Sequence, residues 1–371
     1  MDINEENMIT LLKQSKNVLL VEPPYCRSYI PLGLAKISTF IKNNGGQTKY
    51  CRNPIDFQKY DLICITTLFT TDSKIVINTI KEIQKSIFYN NIPILVGGIF
   101  ASLMPEILNK IPNIFVFINY SKRLDNCLPD YSLDYKIDGF FKDAMTLFTT
   151  RGCPNKCSYC MVWRMETEFY INLKWKDNLE KINKKICVIS DNNFLAAPQN
   201  HIKNVISVLN KTKKKVIFNN GIDCRLIDEK NAKLLSTLHY IKSGFRTAFD
   251  RMTDDGYYQK AMELMNKKMK LKGNSYTYVL FNYMDTPQEA YYRVKECWKY
   301  GSNPYLMQYR PLNQLSKNNS YIGKYWTKNL VKAFKDWGIN FGYNRYGGFF
   351  ENWKNKVELT KEDWDKWNFK K

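Results

Sequence analysis

Histidine is nearly absent from this chain: two in 371 residues, His201 and His239. Neither lies within residues 1–144, so no imidazole ligand can come from that part of the sequence. Long apolar runs are absent as well. The most apolar stretch, Ile92 to Met104, is shorter than the ~20 residues a membrane helix needs, and Pro105 and Glu106 close it. The start, Met1-Asp2-Ile3-Asn4-Glu5-Glu6-Asn7, is acidic and polar, unlike a signal peptide. Ten cysteines without a secretion signal argue for a reducing compartment. The expectation is a soluble cytoplasmic protein with no membrane partner. Acidic residues are also short, with 35 Asp+Glu facing 56 Lys+Arg for a net charge of +21. Residues 1–144 hold 16 basic and 14 acidic side chains, net +2, which leaves +19 on residues 145–371. A polyanionic partner such as nucleic acid would account for that. So would a biased composition, because Lys, Asn and Ile are abundant throughout.

Three cysteines stand out against this background: Cys153, Cys157 and Cys160, spaced C-x3-C-x2-C. The run Met145 to Thr150 before them reads as a strand, so the cysteines sit on the loop leaving its carboxyl end. Thiolates on a compact loop suit an iron–sulfur cluster. Three ligands for four irons leave one iron open to a small molecule. A structural zinc site would want a fourth ligand nearby, and the nearest candidates, Cys187 and His201, lie well downstream. A redox C-x2-C pair would leave Cys153 unexplained.

With Tyr159 as the aromatic before the third cysteine, the stretch resembles the radical S-adenosylmethionine (radical SAM) superfamily. The resemblance implies that Cys153, Cys157 and Cys160 hold a 4Fe-4S cluster and that SAM chelates the open iron. It also implies a reducing partner of the flavodoxin or ferredoxin type. Reductive cleavage then yields methionine and a 5′-deoxyadenosyl radical, which abstracts hydrogen from a substrate C–H bond. The protein's share is to orient these groups and exclude water.

A length of 371 residues with 44% hydrophobic residues suggests two or three domains with real cores. Residues 17–118 alternate apolar strand runs (17–22, 61–66, 92–96, 113–118) with helical spacing (from Leu32 to Ile41, and from Ile75 to Ile83). That pattern means a parallel sheet covered on both faces, a Rossmann-like doubly wound domain over 1–118. Glu22-Pro23-Pro24, Pro31 to Ala35, and Val96-Gly97-Gly98 with Pro105-Glu106 resemble the cobalamin-binding domain ahead of many radical SAM barrels. Methyl transfer with cobalamin is one form this implies. The chain departs from the pattern at D-x-H-x-x-G, so cobalt would lack an axial imidazole here. A cobalamin-free enzyme, its first domain a lid or docking wall, is the alternative. A nucleic-acid-modifying enzyme is another.

Residues 119–144 lack periodicity and read as a linker. From 145 the alternation resumes, with strands at 145–150, 186–190, 215–220, 243–249, 276–281 and 304–309 and helices such as 229–238 and 287–300 between them. Six βα units in about 165 residues suit an incomplete (β/α)6 TIM-type barrel over 145–315, with ligands at the carboxyl ends of its strands. The resemblance covers about the first 310 residues. The extension 316–371 carries Trp326, Trp337, Trp353, Trp364 and Trp367, expected to pack against the barrel.

The resemblance assigns further residues by position. Tyr159 would contact the SAM adenine. Asp191 and Asn192, after the second strand, would meet the amino group, or else cap the next helix. Arg225 would pair the carboxylate, or sit in a surface ion pair. Asp250 would meet the ribose, or cap the helix starting near Asp254. Val279 to Tyr283 falls where the family has G-x-I-x-G-x-x-E, without either glycine. Gln308 and Arg310 close the sixth strand, facing substrate or serving structure.

Overall fold

The computed structural model describes residues 1–52, 60–86, 92–339 and 358–369. The chain is mixed α/β with parallel sheets and divides into two compact units. One takes in Met1–Lys142, Cys160–Thr167 and Pro311–Asn319, the other Asp143–Tyr159, Glu168–Arg310 and Ser320–Lys371. No described helix is long and apolar enough to cross a membrane.

The first unit is built on six strands: β1 (Asp2–Ile3), β2 (Asn17–Val21), β3 (Gln47–Cys51), β4 (Leu62–Thr67), β5 (Ile94–Gly98) and β6 (Ile114–Phe117). They pair in parallel in the order β1-β6-β5-β4-β2-β3. Side chains alternate across the sheet. Leu19, Val21, Ile63 and Ile65 join one core with Val76, Ile80 and Ile83 of helix Ser73–Gln84. Val18, Leu20, Leu62 and Cys64 join another with Met8, Leu12, Leu34 and Ile41 of helices Glu5–Gln14 and Leu32–Asn43. Each fully buried aliphatic side chain contributes about 1.5–3 kcal/mol, so both faces hold the sheet. The four apolar strand runs and two helices expected from the sequence are all present. Strands β1 and β3 and the helix Glu5–Gln14 were not anticipated. Gln47-Thr48-Lys49-Tyr50-Cys51 lies at a sheet edge and has no apolar run to signal it.

Two further features locate the ends of this sheet. At Gly98 the backbone turns with φ +109°, and a Cβ there would lie 2.2 Å from the Thr67 carbonyl oxygen, so a side chain is barred. At the carboxyl end of β2, buried Glu22 accepts Arg27 Nε at 2.8 Å and Nη2 at 2.7 Å, and bonds the Tyr50 hydroxyl. The stretch 119–144 is irregular but not loose. Its short helix Lys122–Asp125 places Asp125 in a buried ion pair with Lys36, and Asp130 accepts from Ser38 at 2.6 Å.

The second unit holds β7 (Ala144–Leu147), β8 (Thr150–Arg151), β9 (Tyr170–Ile171), β10 (Ile186–Ile189), β11 (Lys215–Phe218), β12 (Phe245–Ala248), β13 (Ser275–Phe281) and β14 (Asn303–Gln308). One parallel sheet runs β7-β10-β11 and another β12-β13-β14. Parallel bridges Val216↔Tyr240 and Ile222↔Thr247 continue the pairing from the β11 segment to β12. Ile222 N–H donates to the Arg246 carbonyl at 2.8 Å. The six parallel strands thus follow one another in chain order, with helices Gln199–Thr212, Glu229–Leu235, Tyr257–Asn266 and Pro287–Lys299 between them. Thr286 and Glu289 form a capping box and Pro287 opens the last of these. The run 145–150 splits into β7 and the two-residue β8, which pairs antiparallel with β9. Trp326, Trp337 and Trp367 are buried in this unit as expected, and Trp326 Nε1 donates to the Asp285 carbonyl at 2.9 Å. Trp364 is half-buried, and Trp353 lies outside the described residues.

Candidate functional site

The cysteine loop leaves β7 through β8, and its root is fixed by the backbone. Gly152, just before Cys153, has φ +71°, and a Cβ there would sit 2.0 Å from the Glu168 carbonyl oxygen. The motif's glycine is therefore required by a close backbone approach. Asn172 N–H donates to the Thr149 carbonyl at 3.0 Å, bracing the same turn.

Side chains from the strand ends then grip the loop. Asp191, after β10, is wholly buried and accepts Thr149 N–H at 2.6 Å and the Thr149 hydroxyl. Asp223, beyond β11, accepts Asn155 Nδ2 of the loop at 3.2 Å and Asn193 Nδ2 at 3.1 Å. Asp250, after β12, accepts Leu280 N–H at 2.9 Å and lies 3.5 Å from the Tyr159 hydroxyl. Tyr283, after β13, donates its hydroxyl to Ser158 Oγ at 2.8 Å and meets the Tyr159 ring edge-on. Successive strand ends thus each supply a polar hold on one loop.

The cysteines are half-buried, and no disulfide joins any of the ten in the chain. Asn155 N–H points at Cys153 Sγ at 3.4 Å and Val162 N–H at Cys160 Sγ at 3.4 Å. Burial pushes the Cys153 thiol up, against the Asn155 N–H and the Asn193 side chain, which pull it down. Among the described residues no three His, Cys, Asp or Glu side chains are gathered as ligands of a metal ion. Convergence on one point is what a single ion requires; a cluster takes its thiolates at separate irons. The donors present, three thiols with N–H groups aimed at two of them, suit soft iron–sulfur chemistry. At the strand end after β10, the buried Asn193 Oδ1 has no hydrogen-bond partner among the described residues. An orphaned buried carbonyl costs about 1–3 kcal/mol, so the site favours a donor there.

The sequence-derived candidates fare unevenly. Tyr159, Asp191, Asn192, Arg225 and Asp250 all lie at the carboxyl ends of the strands of this unit. Asn192 Oδ1 is 3.4 Å from Asn220 Nδ2. Both Asp191 oxygens are engaged within the chain. Arg225 places Nε and Nη2 on Asp223 at 2.8 and 2.6 Å. Its hydrogen bonds outweigh the burial of Asp223 and hold that carboxyl below its ordinary range. Asp250 does not cap the next helix, where Gly256 is the N-cap. Alternation places Gln308 on the face of buried Leu306, while exposed Tyr305 and Met307 stand on the opposite face. Arg310 follows β14 and is half-buried. Sequence reasoning assigned no role to Asn155 or Tyr283 and did not single out Asn193, although Asn155 lies inside the cysteine spacing, Asn193 directly follows Asp191 and Asn192, and Tyr283 ends the segment 279–283.

Burial raises the carboxyls of Asp191 and Asp250 to about 6, against the hydrogen bonds they accept. A raised folded pKa gives stability that is complete below the unfolded value and lost as pH climbs through the folded one. The wild type should therefore lose stability from these two groups between about pH 4 and 6. Asp250→Asn cannot ionise and keeps an acceptor for Leu280. It should lose less over the same interval, by up to about 3 kcal/mol at neutral pH. Denaturant midpoints at pH 4.5 and 7.5 for both proteins check this, and an identical pH response in the two would refute it.

No protein-family model matches this chain, and no curated protein matches it.

Proposed function

We propose that this chain is a radical SAM enzyme. The single observation that carries the reading is the C-x3-C-x2-C loop, rooted at Gly152 after β7 and held by side chains from neighbouring strand ends. The first unit is taken as a Rossmann-like domain and the second as an incomplete (β/α)6 TIM-type barrel. Six parallel strands in chain order, with the loop at their carboxyl ends, support the barrel.

In this reading Cys153, Cys157 and Cys160 hold a 4Fe-4S cluster. When bound, the cluster supplies one electron for reductive cleavage of SAM, giving the radical that abstracts hydrogen from substrate. Asn193 Oδ1 and Asn192 offer acceptors for the SAM ammonium. Asp191 keeps the loop root in place through Thr149, a positioning role instead of the ligand role its sequence position suggested. Arg225 reaches a SAM carboxylate only by competing with Asp223. Asp250 holds the Tyr159 side chain and stands where a ribose would be met. The proposal does not extend to cobalamin: residues 1–142 offer cobalt no imidazole, and Arg27, Tyr50 and Glu22 close the carboxyl end of β2.

Anaerobic reconstitution with dithionite and SAM tests the activity. The expected product is 5′-deoxyadenosine in step with methionine, and protein that holds iron but forms neither would overturn the proposal. Tyr159→Ala refines it. Loss of the aromatic contact should weaken SAM binding by about 1–3 kcal/mol at unchanged iron content. If iron falls while the remaining loaded fraction binds SAM normally, Tyr159 is a strut of the loop instead.

A further inference from the structure

Arg246 of the second unit has no counter-charge among the described residues. Arg246, the second residue of β12, donates Nε to the Ser243 carbonyl at 3.3 Å. Its Nη1 donates to Asn219 Oδ1 at 3.3 Å and to the Tyr278 hydroxyl at 2.7 Å. Tyr278 in turn donates to the Asn219 carbonyl at 2.6 Å. Every one of these partners is neutral. Among the described residues no carboxylate pairs with Arg246, and its Nη2 has no partner. A half-buried guanidinium held rigidly by neutral groups, with one nitrogen unused, is arranged to receive an oxyanion.

Its surroundings say what the oxyanion is attached to. The face of the β12–β14 sheet bearing Phe245, Thr247 and Thr277 is covered: Tyr258 of helix Tyr257–Asn266 bonds Thr277 at 3.0 Å. Alternation puts Arg246, Tyr278, Tyr305 and Met307 on the other face. That face is open, with Tyr305 56% and Met307 44% exposed, and Tyr305 stands edge-on to Tyr278. Large apolar side chains left in water beside an unneutralised cation favour a ligand that is flat at one end and anionic at the other. Asn219 joins this face to the candidate site, since the next residue, Asn220, bonds Ser190 O at 2.8 Å and reaches Asn192.

We infer that Arg246, with Tyr278 and Tyr305, is a binding site for a small planar substrate carrying a carboxylate or phosphate. The inference deepens the proposed function, resting on it only in taking this face as the place where substrate is held. The basic excess of residues 145–371 agrees in sign with such a ligand.

The test is binding of phenyl phosphate, benzoate and benzyl alcohol to the full-length protein, by calorimetry, with and without iron and SAM. At least one of the two anions should bind roughly ten- to a hundredfold more tightly than the neutral alcohol. Which anion binds better names the source. Arg246→Gln should bring anion affinity down to that of the alcohol, and Tyr305→Ala, an exposed position that leaves the fold intact, should weaken all three. Equal affinity for anion and alcohol, or Tyr305→Ala without effect, overturns the inference. Displacement of the probe by SAM also overturns it, because Arg246 would then belong to the SAM site. Binding measured on iron-free protein stands apart from the cluster, so failure of the radical reading and failure of this inference are separable.

Discussion

Arg293→Met is expected to destabilise the second unit by about 3–5 kcal/mol, the scale set by breaking a buried ion pair from one side. Arg293 is fully buried on helix Pro287–Lys299. Its Nη1 donates to the carbonyls of Phe249 at 3.1 Å, Asp250 at 2.8 Å and Leu280 at 2.8 Å. Its Nη2 reaches Asp285 Oδ2 at 2.5 Å. One side chain therefore ties the carboxyl ends of β12 and β13 to the helix behind them. Methionine fills much of the volume but leaves Asp285 buried without its cation and the strand-end carbonyls without a donor. Burial already pushes the Asp285 carboxyl up, with Arg293 the main opposing influence, so its removal falls on a group under strain. Adding Asp285→Asn should restore part of the loss. Urea unfolding of both single variants and the double variant measures it, and an Arg293→Met protein within 1 kcal/mol of wild type, a difference on the scale of about one ordinary hydrogen bond, would contradict this role.

How much of this was legible depends on whether the signal was local. Strands β2, β4 and β10 read directly, because strands covered on both faces are continuous apolar runs. Strand β3 did not, because an edge strand can be polar. The cysteine loop read from spacing alone, because ligand spacing is covalent. Its holds did not. Asn155 and Asp223 lie 68 residues apart, Asn193 and Asp223 30 apart, and only the fold brings them together. Arg293 carried no signal in the sequence, and only packing reveals it as buried. Asp191 and Arg225 were found at the expected strand ends, but their partners inside the chain lie in the tertiary structure. The split of 145–150 into β7 and β8 falls at Phe148 and Thr149, where Thr149 N–H donates to the Asp191 side chain and its carbonyl accepts from Asn172 N–H, partners that only the tertiary structure supplies.

The other large expected effect is complete loss of iron in the Cys153/Cys157/Cys160→Ala triple variant. The three thiols are the whole soft donor set of the loop, and Cys187 and Cys224 are buried in the core, where burial raises both thiols. Neither is placed to substitute. The most direct measurement is iron and sulfide per chain, with EPR of the dithionite-reduced protein, on wild type and triple variant reconstituted side by side without oxygen. The expected result is about four irons and four sulfides per wild-type chain, a reduced-cluster signal that changes on adding SAM, and neither in the variant. A triple variant that keeps both cluster and signal, or a wild type that takes up no iron, would contradict the proposed function.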